Sequence, residues 1–209
     1  MAQTLAEKAY QRIKKLIISN DYPPGTSLQE PELVRKLGMS RTPIREALRK
    51  LEREKLVEII PQKGAFVSGI SPERLKEIFQ IREIIEPKAA EIAASSISLS
   101  KLREIKKELL NLRNKEVEDI SYTKSYELDR KLHNLIISTV GNKLMIEILE
   151  SLKVDIRRAC HFAMAKSRNI QKFIDEHLEI IEALETRDGN KVAQAMLKHI
   201  KSVKASILS

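Results

Sequence analysis

Apolar residues recur with helical spacing along most of the chain. Leu5, Ala9, Ile13, Leu16 and Ile17 form the first stripe, and the segment Asn20 to Gly25, NDYPPG, ends it with two prolines and a glycine. A second, short helix is predicted from about Gln29 to Leu37, stopped by Gly38. Ser40 then stands as the N-cap of a third helix, with Pro43 still inside the first turn, where its missing N–H costs little. Two helices joined across Gly38-Met39-Ser40 make a helix-turn-helix. Val57 to Ile60 and Ala65 to Ser68 read as short strands joined by Pro61, Gln62, Lys63 and Gly64, a hairpin or wing with glycine at its bend.

Strand signals vanish after Ser71-Pro72, an N-cap followed by proline at the first helical position. A domain boundary is therefore expected near residue 70, giving domains 1–70 and 71–209. The second divides into six helices, 72–95, 99–117, 121–140, 142–168, 170–186 and 188–207, with Gly141-Asn142 and Asp188-Gly189-Asn190 as breaks. The expected fold is mainly α: an N-terminal winged helix-turn-helix and a C-terminal all-helical antiparallel bundle.

Charge adds to this division. The chain of 209 residues carries a net charge of +9. Residues 1–70 hold +5 of it, against +4 over the remaining 139 residues. Positive density at the N-terminus suits a polyanionic partner, although basic composition alone does not require one. No apolar run approaches the roughly 20 residues needed to span a bilayer, and MAQTLAEKAYQR reads as an amphipathic helix rather than a leader. A cytoplasmic protein without a membrane partner is expected. The single cysteine, Cys160, has no partner for an internal disulfide and no neighbour for a thiolate metal site.

On the third helix Ile44, Ala47, Leu48 and Leu51 share one face, while Arg41, Arg45 and Arg49 recur every four residues on the adjacent arc. Guanidinium forks suit guanine edges and phosphate oxygens, so Arg41, Thr42 and Arg45 are candidate readers of double-stranded DNA, and Ser40 a phosphate contact. The pattern alone fits a solvated basic face equally well. The string SRTPIREALRKLEREKLV, Ser40 to Val57, followed by PQKGAFV, Pro61 to Val67, resembles the DNA-binding domain of the GntR family of bacterial repressors. The upstream PPGTSLQEPELVRKLGMS fits the same pattern. The resemblance implies recognition-helix contacts from Ser40, Arg41, Thr42 and Arg45, with Arg49 on the same arc, and a minor-groove contact from Lys63 and Gly64 at the wing tip. In the fatty-acid-responsive member of the family an arginine on the second helix also touches DNA. The matching position here is Pro31, so that contact is expected to be absent, with Arg35 one turn on as a substitute.

In the second domain Asp129 and His133 lie one turn apart, facing the core with Tyr122, Ile136 and Val140. His177 stands among Ile170, Phe173, Ile174, Ile181 and Leu184; His199 shares its face with Val192, Ala195, Met196 and Val203. Burying three imidazoles and a carboxylate without partners costs several kcal/mol, on the order of 2 or more each, whereas one divalent ion pairs them all. This donor set suits Zn, Ni, Fe, Co or Mn. Any one such histidine alone is more often a hydrogen-bonded core residue. The arrangement DRKLH at 129–133, EH at 176–177 and KH at 198–199 resembles the metal-containing, all-helical FCD-type ligand domain of the FadR subfamily of GntR regulators. The resemblance implies Asp129, His133, His177 and His199 as metal ligands. His161 lacks an apolar face and is expected at the surface or lining a pocket.

Arg82 sits in an apolar stripe made by Leu75, Ile78, Phe79, Ala89 and Ala93. Either Glu86, one turn on, neutralises it, or an effector carboxylate does, held between metal and arginine. Arg157 is a second, weaker candidate for effector binding. These readings predict a homodimeric repressor of a palindromic operator, with no catalytic residues, controlled by a small carboxylate or sugar acid at the metal site. Two alternatives remain open at this point: the same regulator with a purely structural metal, and a metal-dependent hydrolase fused to a DNA-binding module.

Overall fold

The computed structural model describes residues 3–115, 122–167 and 170–208, without the side chains of residues 122, 123 and 161–167. The chain divides into two compact units, Met1–Ser71 and Pro72–Ser209.

In the first unit, α1 (Leu5–Ile18) is capped by Thr4, whose hydroxyl accepts from the Glu7 N–H at 3.1 Å. It packs on α3 (Arg41–Arg53) through Ala9, Tyr10, Ile13 and Ile17. A polar clasp reinforces the contact: the Tyr10 hydroxyl and Lys14 ammonium each donate to Glu54, both at 2.6 Å. The shorter α2 (Glu30–Leu37) ends at Gly38, whose φ of 65° is left-handed and whose N–H closes on the Val34 carbonyl. Ser40 holds the N-cap position of α3 in extended backbone, but its side chain makes no capping bond, which leaves the hydroxyl free of the helix. Strands β1 (Val57–Ile60) and β2 (Gly64–Val67) pair antiparallel, Val57 opposite Val67 and Ile60 opposite Gly64. The second strand starts one residue earlier than its sequence suggests, because Gly64, at φ 103°, turns the chain while already paired. The segment between α1 and α2 lies along the other edge of β2, with Leu28 N–H donating to the Ala65 carbonyl at 2.7 Å and Gly25 N–H to Val67 at 2.8 Å. That pairing covers an edge that would otherwise be open.

The second unit contains α4 (Pro72–Ala93), α5 (Leu99–Arg113), α6 (Tyr122–Val140), α7 (Lys143–Ser167), α8 (Ile170–Glu185) and α9 (Gly189–Leu208). Asn142 and Asp188, expected as first helical residues, are caps instead. The Asn142 carboxamide oxygen accepts from Leu144 and Met145, and the Asp188 carboxylate from Lys191. Helices α4 and α5 stop at Ala93 and Arg113, short of the expected 95 and 117. The fourth helix runs unbroken through Pro87, giving up one backbone bond there. It packs along α9 and against α6 and α7; α8 packs on α9 and α5, closing the bundle. Phe79, Leu102, Leu128, Leu132, Ile136, Ile180 and Ile200 fill the interior, and the polar residues Glu86, Asp129, His177 and His199 are buried with them.

Candidate metal centre and nucleic-acid interface

The candidate DNA-facing residues follow from the two faces of α3. Pro43, Ile44, Ala47, Leu48 and Leu51 are buried, which turns Ser40, Arg41, Thr42, Arg45 and Arg49 outward, and all five are exposed. Lys63 and Gly64 are exposed at the wing tip, and Arg35 is exposed on α2. Arg45, Arg49, Lys63 and Gly64 line one groove together with Gln29, Glu30 and Pro31. Arg41 and Thr42 stand at the N-terminal turn of the same helix, while Arg35 is not among the groove's lining residues. Pro31 occupies the first turn of α2, a position that favours proline. The Arg45 Nε donates to both oxygens of Glu30, at 2.8 and 2.9 Å. The sequence did not single out that partner, which lies fifteen residues upstream on another helix.

In the bundle, α6 brings Asp129 and His133 to face His177 from α8 and His199 from α9. One ligand atom from each of the four lies within 4.8 Å of the others. Each imidazole is held through its Nδ1 by an oxygen acceptor. His133 donates to Glu86 at 2.5 Å, His177 to the Phe173 carbonyl at 2.6 Å, and His199 to Glu176 at 3.0 Å. With Nδ1 carrying the proton, all three Nε2 atoms face Asp129 Oδ1, at 3.5, 3.0 and 3.9 Å. A neutral His177 would then set an Nε2 lone pair against a carboxylate oxygen, and the buried Nε2 atoms of His133 and His199 have no hydrogen-bond partner. A proton or a cation must lie between such atoms. The donor set, the orphaned nitrogens and the orienting carboxylates therefore fit a divalent transition ion.

The electrostatics agree. Burial pushes the His199 imidazole down to about 4, helped by the neighbouring imidazoles, so it stands deprotonated at neutral pH, as a ligand must. Burial also opposes charge on His133, but the carboxylates of Glu86 and Asp129 outweigh it and hold this imidazole above its ordinary value. Asp129 stays ionised well below the usual carboxylate range, the three imidazoles overcoming burial. Burial raises the Cys160 thiol to about 12, and Cys160 is not among the residues whose ligand atoms converge.

Arg82 is neutralised by Glu86, through Nε at 2.5 Å and Nη2 at 3.4 Å, so the plainer of the two readings of Arg82 describes the pair. Its Nη1 is buried with no hydrogen-bond partner. A cavity of about 230 Å³ opens beside it, lined by Arg82, Glu86, Asp129, His133 and, along α6, by Arg130, Asn134 and Ser138. The apolar part of its wall comes from Ile137, Ile146, Leu149 and Ile156. The guanidinium of Arg157 lies 5.3 Å from the ring centre of Tyr126, which lines the cavity, but Arg157 itself is not among the lining residues. The side chains of His161 and Tyr122 lie outside the described residues. Sequence reasoning missed Glu176 altogether and gave Glu86 only one of its two partners. Carboxylates inside otherwise buried helix faces were the available signal.

Among the described residues no helix is long and apolar enough to cross a membrane. Residues 77–202 match the FCD domain family, and residues 5–67 match the bacterial regulatory proteins of the gntR family. The transcriptional repressor RspR of Escherichia coli K12 is 29% identical over 209 residues, spanning 98% of this chain and 90% of its own length. The crystal structure of a GntR transcriptional regulator from Rhodococcus sp. RHA1 shares the fold with a TM-score of 0.78 at 22% identity, covering 97% of both chains. A metal-free FCD domain aligns over 68% of this chain and 96% of its own, with a TM-score of 0.59 at 23% identity. These families and relatives regulate transcription, which sets aside the hydrolase alternative. The chain belongs to the GntR family of DNA-binding transcriptional regulators, with a winged helix-turn-helix followed by an FCD domain.

Proposed function

We propose that this chain is a cytoplasmic repressor that binds a palindromic operator as a homodimer and is controlled by a small carboxylate or sugar acid held at a divalent metal. Residues 1–70 read DNA and residues 71–209 sense the effector. Ser40, Arg41, Thr42, Arg45 and Arg49 enter the major groove, Lys63 and Gly64 the minor groove, with Arg35 as a phosphate contact. Asp129, His133, His177 and His199 hold the ion, which can be Zn, Ni, Fe, Co or Mn. When bound, the ion supplies a Lewis-acidic point for a carboxylate oxygen.

The observation that carries this reading is the convergence of three oriented Nε2 atoms and one carboxylate oxygen beside a cavity that Arg82, with one guanidinium nitrogen unpartnered, helps to line. Arg82, which lines that cavity, would donate to a second carboxylate oxygen, and Asn134 and Ser138 would bond hydroxyls further along it. Glu86 links the two parts, because it touches both Arg82 and His133. A ligand that draws on Arg82 also bears on a metal ligand, and effector and metal affinity should be coupled.

The test is an operator duplex bound by the full chain and titrated with a panel of small carboxylates and sugar acids, with and without prior chelation. Release by one class of acid, lost on chelation and restored by added metal, is the expected result. Release that ignores chelation leaves the metal structural, and indifference to every acid overturns the sensor reading. Replacing His177 with alanine should abolish stoichiometric metal; full retention would overturn the ligand set.

A further inference from the structure

Among the described residues, one cation of the FCD domain's cavity has no answering charge. Besides Asp129 and His133, the wall carries Arg82, Glu86, Arg130, Glu150 and Lys153. Most of these charges are matched within the protein. Arg82 is held by Glu86, Lys153 pairs with Glu150 on α7, and Asp129 faces the three imidazoles. Arg130 is the exception. It lines the cavity half-buried, and its guanidinium makes no hydrogen bond or ion pair with any described residue. Glu127, three residues back on the same helix, is exposed and forms no ion pair with it.

The balance of charge points the same way. The three cations and three carboxylates of the wall cancel, so a divalent ion held by neutral imidazoles leaves two positive charges in excess. An effector with one carboxylate removes one of them: with Asp129 it neutralises the ion, and Arg130 stays unanswered. A second carboxylate on the same molecule closes the balance.

We propose that Arg130 is a second anion subsite, and that the effector is a short dicarboxylic acid with one carboxylate at the ion beside Arg82 and the other at Arg130. The inference rests on the effector reading given above and narrows it to a dianion. Arg130 follows Asp129 directly and precedes His133 by three residues, so both subsites are carried by the same two turns of α6. An arginine fork suits a carboxylate, which it can bind through two parallel hydrogen bonds. Between the two acid groups, Ile146, Leu149 and Ile156 of α7 offer apolar surface to methylenes and no partner to hydroxyls. Discrimination follows from the same charges, because a monoacid gains nothing from Arg130 and a dianion does.

The test compares each acid with a copy of itself that lacks one charge. Malonate, succinate, glutarate and adipate are titrated calorimetrically into the metal-loaded full chain beside their monoamides, which keep the shape and lose the second carboxylate. At least one diacid should bind about tenfold or more tightly than its own monoamide. In Arg130→Gln, compared at equal metal loading, that ratio should fall close to one. Arg130→Lys keeps the charge without the fork and should retain part of the preference. Circular dichroism checks that both variants keep their helices. Monoamides that bind as well as the diacids overturn the second subsite and leave a sensor of single carboxylates. A preference that survives Arg130→Gln overturns the role of Arg130. Release of the operator by a monoacid or a sugar acid, with no diacid bound, overturns the dianion while the sensor reading stands. Silence of every acid in both experiments overturns the sensor reading itself and this inference with it.

Discussion

Arg45 and Arg82 are both arginines paired with a glutamate, one on the winged helix and one inside the bundle. The Arg45 side chain is 58% exposed beside Glu30, and the Arg82 side chain 4% exposed beside Glu86. The first pair lies in water, where screening leaves an ion pair worth about 0–1 kcal/mol, so Arg45 can exchange Glu30 for a phosphate or a base edge at little cost. The second lies in apolar surroundings, where neither charge can lose the other without a large penalty. The comparison separates two ways of using charge. The DNA-binding unit keeps its cations exchangeable, and the FCD domain fixes its charges so that they hold the histidines in place.

The sharpest way to break that contrast is to remove the buried partner. Glu86→Ala should destabilise the FCD domain by about 3–5 kcal/mol, read by chemical denaturation, because it strands Arg82. It should also weaken metal binding by roughly 10–100-fold through His133. The pH dependence carries the same signature. Burial opposes ionisation of Glu86, but Arg82 and His133 outweigh it and hold the carboxyl at about 2. Its contribution is complete above the ordinary carboxylate value of 4.5 and is lost as pH falls toward about 2, so the variant should show a flatter acid limb. A stability unchanged by Glu86→Ala would mean that the buried pair holds nothing.

The next effect belongs to the surface. Arg41→Ala should cost about 1–3 kcal/mol of operator affinity, measured by fluorescence anisotropy, and relax specificity at one base pair. Its exposure predicts no change in unfolding. Lys63→Ala should act more weakly and uniformly across sequences, lowering the salt slope of binding by about 1. If either variant unfolded the winged helix, these cations would belong to the fold and not to an exchangeable surface.

The same contrast explains what was legible from sequence. The proposed reading residues of the winged helix sit on one contiguous helix and one hairpin, so periodicity placed Arg41, Arg45 and Arg49 on one arc and the structure keeps them exposed. Asp129, His133, His177 and His199 come from three helices up to 70 residues apart, and were visible only because each polar group interrupts an apolar stripe. Their supports were harder. The Phe173 carbonyl has no residue signature, and Glu176 lies next to His177 along the chain yet reaches His199 across to another helix. Edge pairing of the 25–28 segment with β2 was likewise hidden, since it involves a few backbone bonds and no strand-length pattern.

The smallest effect is the most discriminating test of the surface half of the comparison. Glu30 lines the same groove as Arg45, Arg49, Lys63 and Gly64, and it is an acid on a surface proposed to meet a polyanion. Two consequences of Glu30→Ala oppose each other. Removing the carboxylate lifts a repulsion from phosphate, which strengthens binding to any duplex. It also frees the Arg45 fork, which Glu30 holds through Nε with both Nη groups left for a base, and so costs specific binding some order. Non-specific affinity should therefore rise by up to about 1 kcal/mol while operator affinity changes less, narrowing the ratio between them. Unfolding should shift by less than about 1 kcal/mol, because the pair is solvated. An equal gain on operator and random DNA would reduce Glu30 to a bulk charge, and a destabilisation approaching that of Glu86→Ala would erase the difference between the two arginine pairs.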